Sequence, residues 1–127
     1  MQLSDAKVEP AIAVTDMDRA RQFYEGKLGL SGGNDEEDGG HTYPCGDGSR
    51  VHIFPSPTAG GSESTLAGWE VDDVVATVEE LSANGVTFEH YDEGPLKTDE
   101  RGIVSLPSGQ GAWFKDPDGN IHGLFEG

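Results

Sequence analysis

Cysteine is nearly absent from this chain, and positive charge is scarce. The single thiol, Cys45, rules out an internal disulfide and makes a reducing compartment the default. Its neighbours Pro44, Gly46 and Asp47 offer no electropositive setting, so an incidental thiol is expected rather than a nucleophile. Lys and Arg supply eight charges against 24 Asp and Glu, a formal balance of −16. Such a surface repels nucleic acid and anionic membranes instead of releasing counterions onto them, so neither is expected as a partner. No long apolar run occurs, and MQLSDAKVEP at the N-terminus has no basic stretch leading into one. The reading is a cytoplasmic protein with no membrane span and no secretion signal.

Large aliphatic residues are also sparse. Leu, Ile, Val and Phe make up about a fifth of the 127 residues, which at this net charge borders on disordered compositions. What argues for a folded chain is the order of those residues, and the length suits one domain with one principal core. The acidity reads as a solvated carboxylate surface, tolerable where salt screens self-repulsion. A halophilic, salt-rich cytoplasm and an ordinary acidic protein both fit. Asp35, Glu36, Glu37 and Asp38 read as solvated loop rather than as a ligand cluster.

What the chain does contain is a unit written twice. VEPAIAV, residues 8–14, alternates like a strand, and Asp16 stands as an N-cap. Met17, Ala20, Phe23, Tyr24 and Leu28 then recur at helical spacing until Gly29. LAGWEV, then Asp72 and Asp73 as possible caps, with Asp73 in register with Asp16, then Val74, Val78 and Leu81 up to Gly85 repeat the pattern about 57 residues later. After each helix come extended segments bounded by Gly, Pro and Asp: GGHTYP and SRVHIFPSP in the first half, VTFEHY, GAWFK and NIHGLF in the second, with a short strand around IVSL. In KDPDGNIHGLFEG the alternating Asp116, Asp118 and Asn120 resemble the start of a calcium loop. The glycine falls at the wrong position and Gly127 stands where the bidentate Glu should be. A hairpin fits better: Pro117 presets φ, Asp118 closes the turn with its own carboxylate, and Gly119 takes the left-handed conformation. The fold class is α+β: two βαβββ modules in a single domain, module one about 8–57, a linker about 58–65, module two about 66–127.

Three stretches, VTDMDRARQFYEGKLGL, WEVDDVVATVEELSANGV and FKDPDGNIHGLFE, resemble the signature segments of the vicinal oxygen chelate superfamily, which includes glyoxalase I, bleomycin-resistance proteins and extradiol dioxygenases. The resemblance implies curved mixed sheets around a cavity, usually in a homodimer. It fixes no activity, because the superfamily hosts several chemistries as well as pure binders. Strand alternation turns Glu9, Ala11 and Ala13, then Arg50, His52 and Phe54, then Leu66, Gly68 and Glu70, then Ile121, Gly123 and Phe125 toward that cavity. His122 and Leu124 point into the packed side.

Members that carry a metal take one ligand from each of these four strands. Carried over, those positions fall on Glu9, His52, Leu66 and Gly123, and Leu and Gly have no lone pair to give. No metal and no other cofactor is therefore expected. Glu9 and His52 can still form a hydrogen-bonded acid/base pair, or merely satisfy each other. With Phe54, Leu66, Glu70, Ile121, Gly123 and Phe125 they compose a small-molecule pocket. The resemblance implies a metal-free small-molecule binder with a partly apolar, acidic cavity. Two alternatives are a glyoxalase- or dioxygenase-like enzyme, either a metal-dependent lyase or isomerase or an acid/base catalyst using Glu9 and His52, and a pure dimerisation or regulatory module.

Overall fold

The computed structural model describes residues 2–126; Gly127, which closes the second expected module and was the twelfth position of the rejected calcium loop, lies outside the described residues. The chain runs β1 (Ala11–Val14), α1 (Met17–Arg21), β2 (Asn34–Asp35), β3 (His41–Pro44), β4 (Arg50–Pro55), β5 (Thr65–Val71), α2 (Val74–Ala83), β6 (Ile103–Leu106), β7 (Gly109–Lys115) and β8 (Ile121–Glu126). The two halves share one topology. The first sheet is ordered β1-β4-β3-β2 and the second β5-β8-β7-β6. In each, the first and last strands of the module pair in parallel and the others antiparallel. These are two βαβββ modules in an α+β fold, and the sheets do not close on themselves.

Both helices start where side-chain oxygens were expected to cap them. Asp16 accepts from the backbone of Asp18 and Arg19, and Asp73 from that of Ala76. Past Arg21 the first helix widens: over Gln22–Lys27 the bonds run i→i+5, as from Leu28 N to Phe23 O. Phe23 and Tyr24, consecutive in this wider stretch, are both buried. Gly29 and Gly85 follow the helices at φ 79° and 97°, a conformation glycine adopts without a Cβ penalty.

One core joins the two halves. Ile12, Val14, Tyr24, Val51 and Ile53 from the first module and Ala67, Val74, Val78, Phe114 and Leu124 from the second pack into it. Phe23 lies 6.2 Å from Phe114 between ring centroids, so the first helix packs on the second sheet. The expected strand VTFEHY does not form. Only Phe88 bridges to Phe114, and β6, from Ile103 to Leu106, takes the edge position beside β7 instead. Val86 and Phe88 are buried in the core all the same. No helix among the described residues is long and apolar enough to cross a membrane.

Candidate functional site

The strand faces fall as alternation requires. Ile12, Val14, Val51, Ile53 and Ala67 are buried, whereas Arg50, Leu66, Gly68 and Glu70 are exposed and His52 and Phe54 half-buried. In β8 His122 and Leu124 enter the core, and Phe125 remains 46% exposed. Ile121 and Gly123 are buried as well. A bulge between Thr65 and Ala67 takes Leu66 out of the ladder and leaves it 42% exposed.

Where the modules meet lies a cleft of about 960 Å³. Leu30, Ala67, Trp69 and Phe125 give it apolar walls, and Asp47, Glu70 and Asp72 supply carboxylates beside Arg50. Of the expected pocket residues, Glu70 and Phe125 line this cleft. Glu9, His52, Phe54, Leu66, Ile121 and Gly123 do not. Phe125 lies over Gly68: a Cβ there would come 2.9 Å from the ring edge, so the missing side chain makes the seat for the aromatic wall. Cys45 also faces the cleft, and burial pushes its thiol pKa up, away from nucleophilic character.

Glu9 and His52 share a face but not a bond. β1 begins only at Ala11, not at Val8, and Glu9, two residues before it, places Oε2 3.1 Å from Nε of Arg50, the first residue of β4. His52 Nε2 lies 2.9 Å from Asp38 Oδ2, delivered by the loop before β3. The acidic run 35–38, expected as solvated loop rather than ligand site, reaches back here where Gly40 packs against β4, and a Cβ on Gly40 would overlap the Ile53 carbonyl. Neither contact has the direction of a hydrogen bond. Glu9 Oε2 and His52 Nε2 are the buried side-chain atoms left without a hydrogen-bond partner among the described residues. Nothing in the sequence signalled Asp38 except its position in a run of acids.

The four positions that hold a metal in some relatives do not fit one here. Leu66 and Gly123 offer no donor, and the room beside Gly123 is taken by the Trp113 indole, whose Nε1 would stand 3.2 Å from a Cβ. Among the described residues no three His, Cys, Asp or Glu side chains are grouped to hold an ion. The cleft itself offers apolar walls and several carboxylates, and the two polar atoms with spare capacity, Glu9 Oε2 and His52 Nε2, belong to residues outside its lining.

Known proteins agree with this geometry. A glyoxalase/bleomycin resistance protein from Streptomyces is 26% identical, with a TM-score of 0.68 over 94% of this chain and 99% of its own. TnmS3, described as an antibiotic binding protein from Streptomyces, is likewise 26% identical, with a TM-score of 0.68 over 94% of this chain and 93% of its own. A superfamily member from Sphaerobacter thermophilus, 24% identical with a TM-score of 0.69 over 95% and 96%, shares the fold. No curated protein matches the chain. The family model for the Glyoxalase/Bleomycin resistance protein/Dioxygenase superfamily matches residues 8–122, and to that superfamily the chain belongs.

Proposed function

We propose that this protein binds and sequesters a small amphipathic or aromatic compound, without a metal, as a homodimer. The observation that carries the reading is the cleft, with Trp69 and Phe125 as aromatic walls and Asp47, Glu70 and Asp72 at its polar side. Three carboxylates against one Arg50, itself beside Glu9, favour a cationic or hydrogen-bond-donating ligand. That TnmS3 is an antibiotic binding protein supports a binding role on this fold. The exposed Leu66 and Phe125 on open sheets support a second copy completing the cleft.

A planar aromatic cation such as acriflavine, titrated against the purified protein while tryptophan emission is followed, tests the reading. Saturable quenching that weakens in Glu70→Gln and Phe125→Ala is the expected result. No saturation with any cationic or neutral aromatic probe would remove the proposal. Elemental analysis accompanies it, since a stoichiometric transition metal would overturn the metal-free part.

The spare capacity at Glu9 Oε2 and His52 Nε2 favours a second reading, a metal-free acid/base catalyst in which Asp38 rather than Glu9 stands beside the imidazole. Loss of substrate turnover in His52→Ala, with ligand binding retained, would single it out.

A further inference from the structure

His41 opens β3 with its ring only 12% exposed, and it holds two oxygens at once. Its Nε2 lies 2.6 Å from the carbonyl oxygen of Gly32, and its Nδ1 lies 2.8 Å from Oδ1 of Asp35. A backbone carbonyl has no proton to give. Asp35 has none either, because the Arg21 guanidinium donates to the same Oδ1 at 3.0 Å and holds it as a carboxylate. Both ring nitrogens must therefore carry hydrogen, and only the imidazolium has two N–H groups.

We propose that His41 is a charged latch: as imidazolium it fastens Gly32 and Asp35 to β3 together, and on losing a proton it must release one of them and loosen the segment Gly29–Asp35. The consequence reaches the cleft, since Leu30 in that segment is one of its walls. The segment is suited to such a change. Gly29, Gly32 and Gly33 hold φ of 79°, 76° and 82° and contribute no side chain to anchor it, and β2 is a two-residue edge strand.

Charged and polar neighbours pack near the latch. Arg21 from α1 reaches Asp35 at 3.0 Å and opposes a positive ring. Glu25, from the wide turns after α1, is 3.6 Å from Arg21 and accepts from the Tyr43 hydroxyl at 2.6 Å. Tyr43 lies against the His41 ring, with centroids 4.4 Å apart. Burial weighs against the charged ring, but the bonds to Gly32 and Asp35 outweigh it and the His41 pKa is raised. A raised pKa means that the stabilisation is fully present below the unfolded value of about 6.5 and is lost as pH rises through the folded one.

Nitrogen-15 NMR of the imidazoles and amide hydrogen exchange on the free protein test the latch. At pH 6 both ring nitrogens of His41 should be protonated. Corrected protection of the Gly32, Gly33 and Asp35 amides should fall about tenfold as His41 titrates, with α2 unaffected. His41→Gln should abolish that dependence, and Asp35→Asn, a surface change, should move the His41 midpoint down. A single protonated nitrogen at pH 6, or protection indifferent to the titration, would overturn the inference. Because exchange is read without ligand, its failure leaves the binding proposal standing, and the reverse holds too.

Discussion

The indole N–H of Trp69 donates to Nδ1 of His122 at 3.0 Å, and that one bond sets the protonation state of a fully buried histidine. An indole only donates, so Nδ1 must be bare and the proton of the neutral ring must sit on Nε2. Nε2–H then gives to the Tyr24 oxygen at 2.8 Å, which leaves the Tyr24 hydroxyl to donate to Asp116 Oδ2 at 2.7 Å. The chain of donors runs one way, from the cleft wall to the last hairpin, and Phe114 stacks on the imidazole with an interplanar angle of 8°.

Acid should attack the fold through this ring. Burial lowers the His122 pKa to about 4, against the attraction of Asp116. A base depressed in the fold contributes fully above its unfolded value near 6.5, and that contribution drains away as pH falls toward 4. The size is on the order of 3 kcal/mol. Urea unfolding at pH 7, 5.5 and 4.5 should show a progressive loss, and His122→Phe should flatten that part of the profile. An unchanged slope in the variant would show that other groups govern acid stability.

Asp116 should be the costliest side chain in the hairpin to remove. Its Oδ1 accepts from the backbone of Asp118 and Asn120, and its Oδ2 from Tyr24 and the Asn120 amide. Asp116→Ala strands all four donors, three of them in buried bonds, at a cost of about 3 kcal/mol or more. Tyr24→Phe removes one donor to Asp116 and the acceptor of the His122 Nε2–H, and should cost about 2 kcal/mol. Chemical denaturation of both variants gives the ranking, and a milder effect from the Asp116 change would mean that water replaces its bonds readily.

Much of the architecture could be read from residue order, and the reason is periodicity. Alternation in RVHIFP and LAGWEV fixes which face each side chain takes, and Asp16 and Asp73 cap because Asx residues at those positions have few other uses. The KDPDG hairpin was legible too, with Gly119 at φ 86°, although it is Asp116 and not Asp118 whose carboxylate closes the turn. What escaped were the long-range partners. Sequence order cannot show that Asp38 lies beside His52, that Arg50 lies beside Glu9, or that Trp113 fills the room at Gly123. Each depends on where a loop or a neighbouring strand finally packs. VTFEHY failed for a related reason: its alternation suits a strand, but IVSL holds the edge of the sheet.

Asp118, freed from the turn, clasps the two modules together. Its carboxylate accepts from Thr15 N at 3.0 Å, from the Thr15 hydroxyl at 2.6 Å and from Arg19 at 2.9 Å. Asn120 adds a bond from its side chain to the Ala13 carbonyl. Asp118→Ala should cost about 1–2 kcal/mol, most of it from the backbone and hydroxyl donors, since Arg19 is half exposed and its charge is screened. Arg19→Ala should cost well under half as much. Equal losses in the two variants would assign the clasp to the ion pair instead.

Salt should stabilise this protein over a wide range. Some terms oppose that: Arg101–Asp99 and Lys115–Glu89 are surface pairs that screening weakens, but each is worth at most about 1 kcal/mol. Against them stands the mutual repulsion of 24 carboxylates with only eight fixed cations. The Debye length shrinks from about 10 Å at 0.1 M to about 3 Å at 1 M, so repulsion summed over the whole surface fades faster than contacts at bonding distance. The melting temperature in potassium chloride should therefore climb steadily from 0.1 to 2 M, and Glu36→Gln with Glu37→Gln in the exposed loop should shallow the climb. A flat response would mean that the acidic surface carries no net strain at ordinary ionic strength, and the case for a saline home would fall with it.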